Sequence, residues 1–349
     1  MKTTQQLYEA FAAAFPDIVS EPPPLIRASA DSKVGQFKGH LNSVGFLAGY
    51  SCSWMTKLCY LMCYTERGQA GMDNAYLFRA WNTWALFAYL LKGDVDGLAR
   101  NFSSLITHAN KQYHNRLKPD HQIEIAKAER FISNAKRRYK KKIDQLKTEV
   151  GYGKHGRHHM EQWGPDIHLI EMERDKKINE RVELIKTLQE KIYVQRALRA
   201  AGPMWRWMWS GDLVDATHAM AVRKASAMHP DTTAWIYTRS FHLLQFLEPV
   251  PRNLTVWLSE DEENTEIAQQ YYKQFPWARR TTLTNEDDPT PSTGIICPEN
   301  AGKFRTVIGA CAKCKICSHG TKEEVHFINK KSKSTYRRPA SETLLQITA

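Results

Sequence analysis

The seven cysteines of this 349-residue chain fall into two groups, with none left over. Cys52, Cys59 and Cys63 lie in "CSWMTKLCYLMCY" with spacing C-x6-C-x3-C, and Cys297, Cys311, Cys314 and Cys317 follow C-x13-C-x2-C-x2-C. Thiols clustered in this way, in a chain with no secretory leader pattern, point to metal rather than disulfides. The run "CAKCKIC" sets three thiols at successive three-residue steps, the arrangement that wraps a ferredoxin-type iron–sulfur cube. A fourth cysteine completes its ligands. Zinc, which more often takes two separated C-x2-C knuckles, and plain core thiols are the alternatives. The first group offers three thiolates only, so a four-iron cube there keeps one iron open to a small molecule. An open position is what separates a reactive metal site from a structural one. The alternative is that these are small core residues beside Tyr60, Leu61 and Met62. The pair His158-His159 also carries metal-ligating chemistry, but it sits in the turn-rich stretch "GYGKHGRHHMEQWGPD", which reads as a polar loop tip.

Something must position these thiols, and the periodicity suggests what. The apolar runs "MWRWMW" (204–209), "TTAWIY" (232–237), "NLTVWL" (253–258) and "RTTLT" (280–284) predict strands. Helical patterns follow at 215–228, after "TRS", and at 262–275. Strands that are nearly continuous apolar runs and alternate with helices imply an α/β fold, a parallel sheet or partial (β/α) barrel covered on both faces. Each of the first three runs ends in polar residues: Ser210-Gly211-Asp212, Thr238-Arg239-Ser240 and Ser259-Glu260-Asp261. In such folds ligands bind at the C-terminal strand ends. Residues 34–49 predict one or two short strands leading into the first cysteine, and 75–91 predicts a helix buried nearly all round.

Between these parts, Ile132, Ala135, Tyr139, Ile143, Leu146 and Val150 recur at helical steps, as do Ile178, Val182, Ile185, Leu188 and Ile192. An antiparallel helical hairpin inserted over 120–200 is the reading. The expected organisation is an N-terminal helix ended by Pro16 and a linker (1–33), a first part of the α/β core with the three-cysteine loop (34–119), the hairpin (120–200), further βα repeats (201–290), and a C-terminal iron–sulfur region with a basic tail (291–349).

The net charge of +12 is concentrated in 127–147 and in "NKKSKSTYRRP". Such blocks favour nucleic acid or another polyanion through counterion release, or form a solvated helix face. No apolar run is long enough to span a membrane, and the chain is expected to be cytoplasmic.

The stretches "FLAGYSCSWMTKLCYLMCY", "AWNTWALF", "WRWMWSGDLVD" and "WIYTRS", with the late C-x2-C-x2-C, resemble the phage gene product 88 family over most of the chain outside the hairpin. A host-cytoplasmic location follows if the chain is phage-encoded. The layout is also similar to that of radical S-adenosylmethionine enzymes. Their first cluster differs in spacing, C-x3-C-x2-C with an aromatic before the last cysteine, where this chain has C-x6-C-x3-C and Met62. That likeness implies two [4Fe–4S] clusters, one open and one fully ligated. It also implies S-adenosylmethionine bound by Ser210, Gly211, Asp212, Thr238, Arg239, Ser240 and Ser259, cleaved to a 5′-deoxyadenosyl radical that attacks a substrate. The alternatives are a non-catalytic phage nucleic-acid-binding protein with structural or redox metal centres, helped by Phe131 and Tyr139, and a zinc protein whose three-cysteine site is completed by His40 or another residue.

Overall fold

The computed structural model describes residues 2–56, 59, 73–116, 122–149, 160–285, 293–304 and 309–329. The chain divides into two compact units, Met1–Arg116 with Ala201–Ala349, and Leu117–Ala200.

The first unit is a mixed α/β structure around a six-stranded sheet. Its strands are β1 Met204–Trp207, β2 Thr233–Thr238, β3 Leu254–Glu260, β4 Arg279–Asn285, β5 Ile295–Ile296 and β6 Val325–Asn329. All pairings are parallel, in the order β1-β2-β3-β4-β6-β5. Alternation along each strand divides its residues between two covered faces. Trp205, Trp207, Ala234, Ile236, Leu254, Val256 and Leu258 join the main core with the helical residues Leu98, Phe102, Ala219 and Val222. Arg206, Tyr237, Thr255 and Trp257 point the other way, towards the C-terminal cysteine segment. Between successive strands lie a helix at Ala216–Ala227, a 3₁₀ segment at Phe241–Leu247 and a helix at Thr265–Gln274.

The strand ends differ slightly from expectation. β1 stops at Trp207 because Met208 turns the chain with a φ of 43°. β3 runs on through Ser259 and Glu260, so these two residues belong to the strand itself.

The expected strand within 34–49 is not a regular strand, yet it runs as a parallel partner of β1. Arg206 N donates to Asn42 O at 3.0 Å, Trp209 N to Val44 O at 3.0 Å and Phe46 N to Ser210 O at 2.9 Å. Its other side is met first by the backbone of Ser29, in a single antiparallel bridge to Ser43, and beyond it by side chains. Asn82 Nδ2 donates to Gly45 O and Thr83 Oγ1 accepts from Leu47 N. Gly45 is required there, since a Cβ would enter the Trp209 ring. Asn82 and Thr83 lie on the helix Asp73–Leu90, whose buried face is therefore partly polar; Leu77 and Leu91 nearby remain exposed, so its burial is one-sided. At the N-terminus, Pro16 does more than end the helix Thr4–Ala14, because it opens a second short helix, Pro16–Ser20. Proline suits that first position, where no N–H is needed.

With Thr4–Ala14 as α1, Pro16–Ser20 as α2, Asp73–Leu90 as α3 and Val95–Arg116 as α4, the second unit holds α5, Gln122–Glu149, and α6, Met160–Ala201. Lys177 reaches Tyr139 and Arg181 lies over Phe131, so the two helices run antiparallel. Ala135, Ile143, Leu188 and Ile192 are buried, and Ile132, Tyr139, Leu146, Ile178, Val182 and Ile185 are half-buried, which follows the helical period. Val150 and His158-His159 lie outside the described residues.

Asn253, just before β3, closes this frame. Its amide donates to three carbonyls, Ser226, His229 and Thr232, at 3.0, 2.8 and 2.9 Å. Asn253→Ala is expected to cost about 1–3 kcal/mol, and Asn253→Asp more, because a carboxylate would face three carbonyl oxygens. Urea denaturation of both variants tests the order.

Candidate functional site

The ends of β1, β2 and β3 meet the loop that carries the first cysteines. Ser210, Asp212, Thr238, Arg239, Ser240, Glu260 and Asp261 are all buried. Burial of so many polar groups is tolerable only if they are paired. Asp212 Oδ1 accepts from Thr238 Oγ1 at 2.6 Å and from Leu213 N at 2.7 Å, while Oδ2 accepts from Arg239 N at 2.7 Å. Three of the roughly four lone-pair positions of the carboxylate are thus used. Burial raises the Asp212 pKa above the usual carboxylate range, against the pull of these hydrogen bonds. Gly211 has a φ of 81°, and a Cβ there would collide with Ser51 and Phe46.

The cysteine loop is fastened to this cluster at three points. Asp212 N donates to Ser51 O at 3.1 Å. Ser53 Oγ contacts Leu213 O and Ser240 Oγ, both at 3.1 Å. Thr56 Oγ1 donates to Asp261 Oδ2 at 2.8 Å and accepts from Cys59 N at 3.0 Å. The same Asp261 oxygen takes a 2.6 Å ion pair from Arg239 Nη1. Cys52 and Cys59, half-buried, are therefore held beside the strand ends; Cys63 lies outside the described residues. Ser51, Ser53 and Thr56 were not singled out from sequence. Their signal was polar residues spaced through an otherwise apolar, thiol-bearing run, "SCSWMT".

Ser259 is apart from the cluster. It shares the strand face of Thr255 and Trp257, and only its carbonyl is engaged near the strand end, by Asn264. Beside it, Glu260 is held by Arg280 through two bonds of 2.7 and 2.8 Å, with burial raising its pKa.

The other four thiols gather on the opposite face of the sheet. Two short helices, Ala310–Cys314 and Ile316–His319, are divided by Lys315, a non-glycine residue with φ 62°. That left-handed turn redirects the chain between Cys314 and Cys317 and costs roughly 1–2 kcal/mol. Each thiol-bearing stretch is docked on a different part of the fold. Cys297 N donates to His326 O of β6 at 2.9 Å and Cys311 N to Lys33 O at 3.0 Å. Trp257 Nε1 of β3 donates to Cys317 O at 2.8 Å and Thr255 Oγ1 to Ser318 O at 3.1 Å. Burial first, and the other thiols after it, push Cys311 and Cys314 up, and Cys317 up to about 12. Among the described residues no three His, Cys, Asp or Glu side chains are drawn closely enough to hold a metal ion as they stand. His40 pairs with Ala109 O at 3.0 Å and stacks on Phe37.

Fold and site together define a parallel α/β protein with one thiol group on a strand-end loop and a second laid across one sheet face. Residues 169–320 match the family model Gene product 88. This span is less than half of the chain; it begins inside α6, so part of the hairpin is included, and it takes in β1 to β5 and the four-thiol segment but not the three-thiol loop. No curated protein and no solved structure matches the chain. No described helix is long and apolar enough to cross a membrane.

Asp212→Asn tests the cluster. Whichever way the amide is turned, its NH₂ opposes a backbone N–H, of Leu213 or Arg239. The expected loss is about 1–3 kcal/mol of stability, read from the denaturation midpoint. An unchanged midpoint would mean that the carboxylate is not the acceptor.

Proposed function

We propose that this chain is an iron–sulfur enzyme of the radical S-adenosylmethionine type. Cys52, Cys59 and Cys63 hold an open [4Fe–4S] cluster, and Cys297, Cys311, Cys314 and Cys317 hold a second, fully ligated one. The observation that carries the reading is the fastening of the Cys52–Cys59 loop, through Thr56 and Ser53, to the ends of β1, β2 and β3. A loop with incomplete metal ligation beside convergent strand ends suits a small ligand bound partly by iron and partly by protein. The spacing of the second group also favours a cluster over a single ion. Three thiols at successive three-residue steps with a fourth upstream are the ligand pattern of a cube.

When bound, the open cluster supplies electrons for cleaving S-adenosylmethionine. The chain's own residues orient the nucleoside and exclude water. Asp212 keeps one acceptor position for an amine, while its other bonds fix Thr238 and Arg239. Arg239, held by Asp261, sets a positive charge beside the strand ends, which suits a carboxylate of the nucleoside.

Anaerobic preparation is expected to give a brown protein with about eight irons per chain. Cys59→Ala and Cys311→Ala should each remove about half of that iron. Reduced protein given S-adenosylmethionine should release 5′-deoxyadenosine. A colourless zinc protein, or complete loss of iron in either variant with the fold intact, would overturn the reading.

A second reading, a nucleic-acid-binding protein, rests on α5. Lys136, Arg137, Arg138, Lys140, Lys141 and Lys142 are all exposed, and none makes an ion pair among the described residues. Three of the six line a shallow groove of about 510 Å³ on one helix face, with Asp144, Gln145 and Thr148. Phe131 and Tyr139 face Arg181 and Lys177 of α6, so the contact suits phosphates more than stacked bases. Lys140, Lys141 and Lys142 replaced together by Gln should lower the slope of log affinity against log salt by roughly 2–3. Salt-independent or absent binding to single- and double-stranded probes would sink this reading.

A further inference from the structure

The four late thiols come from two stretches that the chain itself leaves apart, since thirteen residues separate Cys297 from Cys311. On the first side, Cys297 opens a turn closed by Ala301 N on Cys297 O and Lys303 N on Pro298 O, both at 2.9 Å. Asn300 fixes that turn to β6, its amide nitrogen donating to Ile328 O at 3.0 Å and its amide oxygen accepting from Ile328 N at 2.6 Å. On the second side, the helix Ala310–Cys314 rests on the loop of Asp31, Ser32 and Lys33. Gly309 N donates to Ser32 O at 3.3 Å and Cys311 N to Lys33 O at 3.0 Å. Lys33 touches both sides. Its carbonyl receives Cys311, and its ammonium makes a 2.9 Å ion pair with Glu299, the second residue after Cys297. The loop is tied to the rest of the unit by Asp31. One carboxylate oxygen of Asp31 accepts from Lys33 N at 3.0 Å, the other takes a 2.8 Å ion pair from Arg206 of β1, and Asp31 N donates to Asn42 Oδ1 at 3.0 Å.

We propose that Lys33 is a positioning residue of the four-thiol site, its ion pair with Glu299 setting the Cys297 turn against the run Cys311–Cys317. The inference rests on the reading of this quartet as a metal centre. Ligands gathered before the metal arrives bind it more tightly, because less of the binding free energy goes into closing the chain between them. The sheet gathers them only in part. The Cys297 turn is held on β6, and Cys317 is held on β3 through Trp257. β4 lies between those two strands, so the frame leaves the stretches a strand apart. The Lys33–Glu299 pair links them directly. It acts from a loop anchored to β1, and therefore fixes a distance instead of following the turn. Partners in this outer position commonly govern metal affinity by 10–100-fold. The Lys33 side chain is 47% exposed and that of Glu299 19%, which puts this pair at or below the lower end of that range.

The test uses the full-length chain in the Cys59→Ala background, so that only metal at the quartet is counted. Protein is loaded anaerobically with iron and sulfide, or with cobalt(II), and retention is measured by competition with a chelator. Lys33→Met removes the ammonium and keeps the carbonyl on Cys311; Glu299→Gln removes the partner charge; Lys33→Arg keeps the pair. The expected result is about three- to tenfold weaker retention in Lys33→Met and in Glu299→Gln, with Lys33→Arg close to the parent. Because both single variants break the same bond, the double variant should be no weaker than the weaker single. Thermal unfolding of the metal-free proteins should stay close to the parent. Retention within twofold of the parent in both single variants would overturn the proposal. So would losses that multiply in the double variant, or metal-free variants destabilised in step with their loss of metal. A Cys59→Ala parent that folds and takes up no metal would instead overturn the underlying reading, and this inference with it.

Discussion

The ion pair between Arg239 and Asp261 is the constraint on which the strand-end site depends. The carboxylate is fully buried and the guanidinium nearly so, at 2.6 Å. Taking both charges out of water costs several kcal/mol per ion, and their attraction offsets this only when the remaining polar positions are also filled. Here they are filled. Asp261 accepts from Thr56 and from Glu263 N, and its own N–H goes to Asn264. Arg239 N is taken by Asp212, which also accepts from Thr238. Loss of one partner would leave an unpaired buried charge, at a cost of about 3–5 kcal/mol. The three strand ends and the cysteine loop thus form a single electrostatic unit, rigid in the way a ligand site needs.

β2 connects this unit to the second thiol group. Tyr237 and Thr238 are successive residues, and the pleat sends them to opposite faces. Tyr237 packs on Phe327 on the face of the C-terminal cysteine segment, while Thr238 meets Asp212. A change in β2 register by one residue would exchange these partners and break both sites together. The apolar bulk of Trp205, Trp207, Ile236 and Val256 against the helices sets that register and pins both groups of polar contacts.

Much of this was legible from residue order. The parallel sheet followed from the apolar runs and the helical stretches between them, and the polar strand ends from the residues after each run. Asp212, Thr238, Arg239 and Ser240 do meet and Ser210 is bonded instead to Phe46, whereas Ser259 lies apart, because β3 runs two residues further than its apolar run and turns that side chain to the opposite face. The irregular partner of β1 was misread as regular strand for a physical reason. Its outer hydrogen bonds go to the backbone of Ser29 and to Asn82 and Thr83, two helical side chains that local periodicity cannot pair with it. The role of Thr56 was hidden for a similar reason, since it is defined by a contact with Asp261, 205 residues away.

The extent of the family match sharpens what the loop is for. The matched span, 169–320, contains Asp261, Arg239, Asp212 and all four late cysteines. The groups that complete its buried polar network lie upstream: Thr56 on Asp261, Ser53 against Ser240, and Ser51 O on Asp212 N. By itself the span would leave these strand ends short of partners, a condition that buried polar groups rarely sustain. Residues 42–56 are therefore structurally part of the same site, running beside β1 and then over the ends of β1 to β3. The C-x6-C-x3-C group begins inside that same closing segment, at Cys52. Its wide first interval includes Ser53 and Thr56, the two residues that fasten it. The irregular spacing of the thiols is thus also the spacing of the loop's anchors, which set Cys52 and Cys59 beside the ends of β1 to β3.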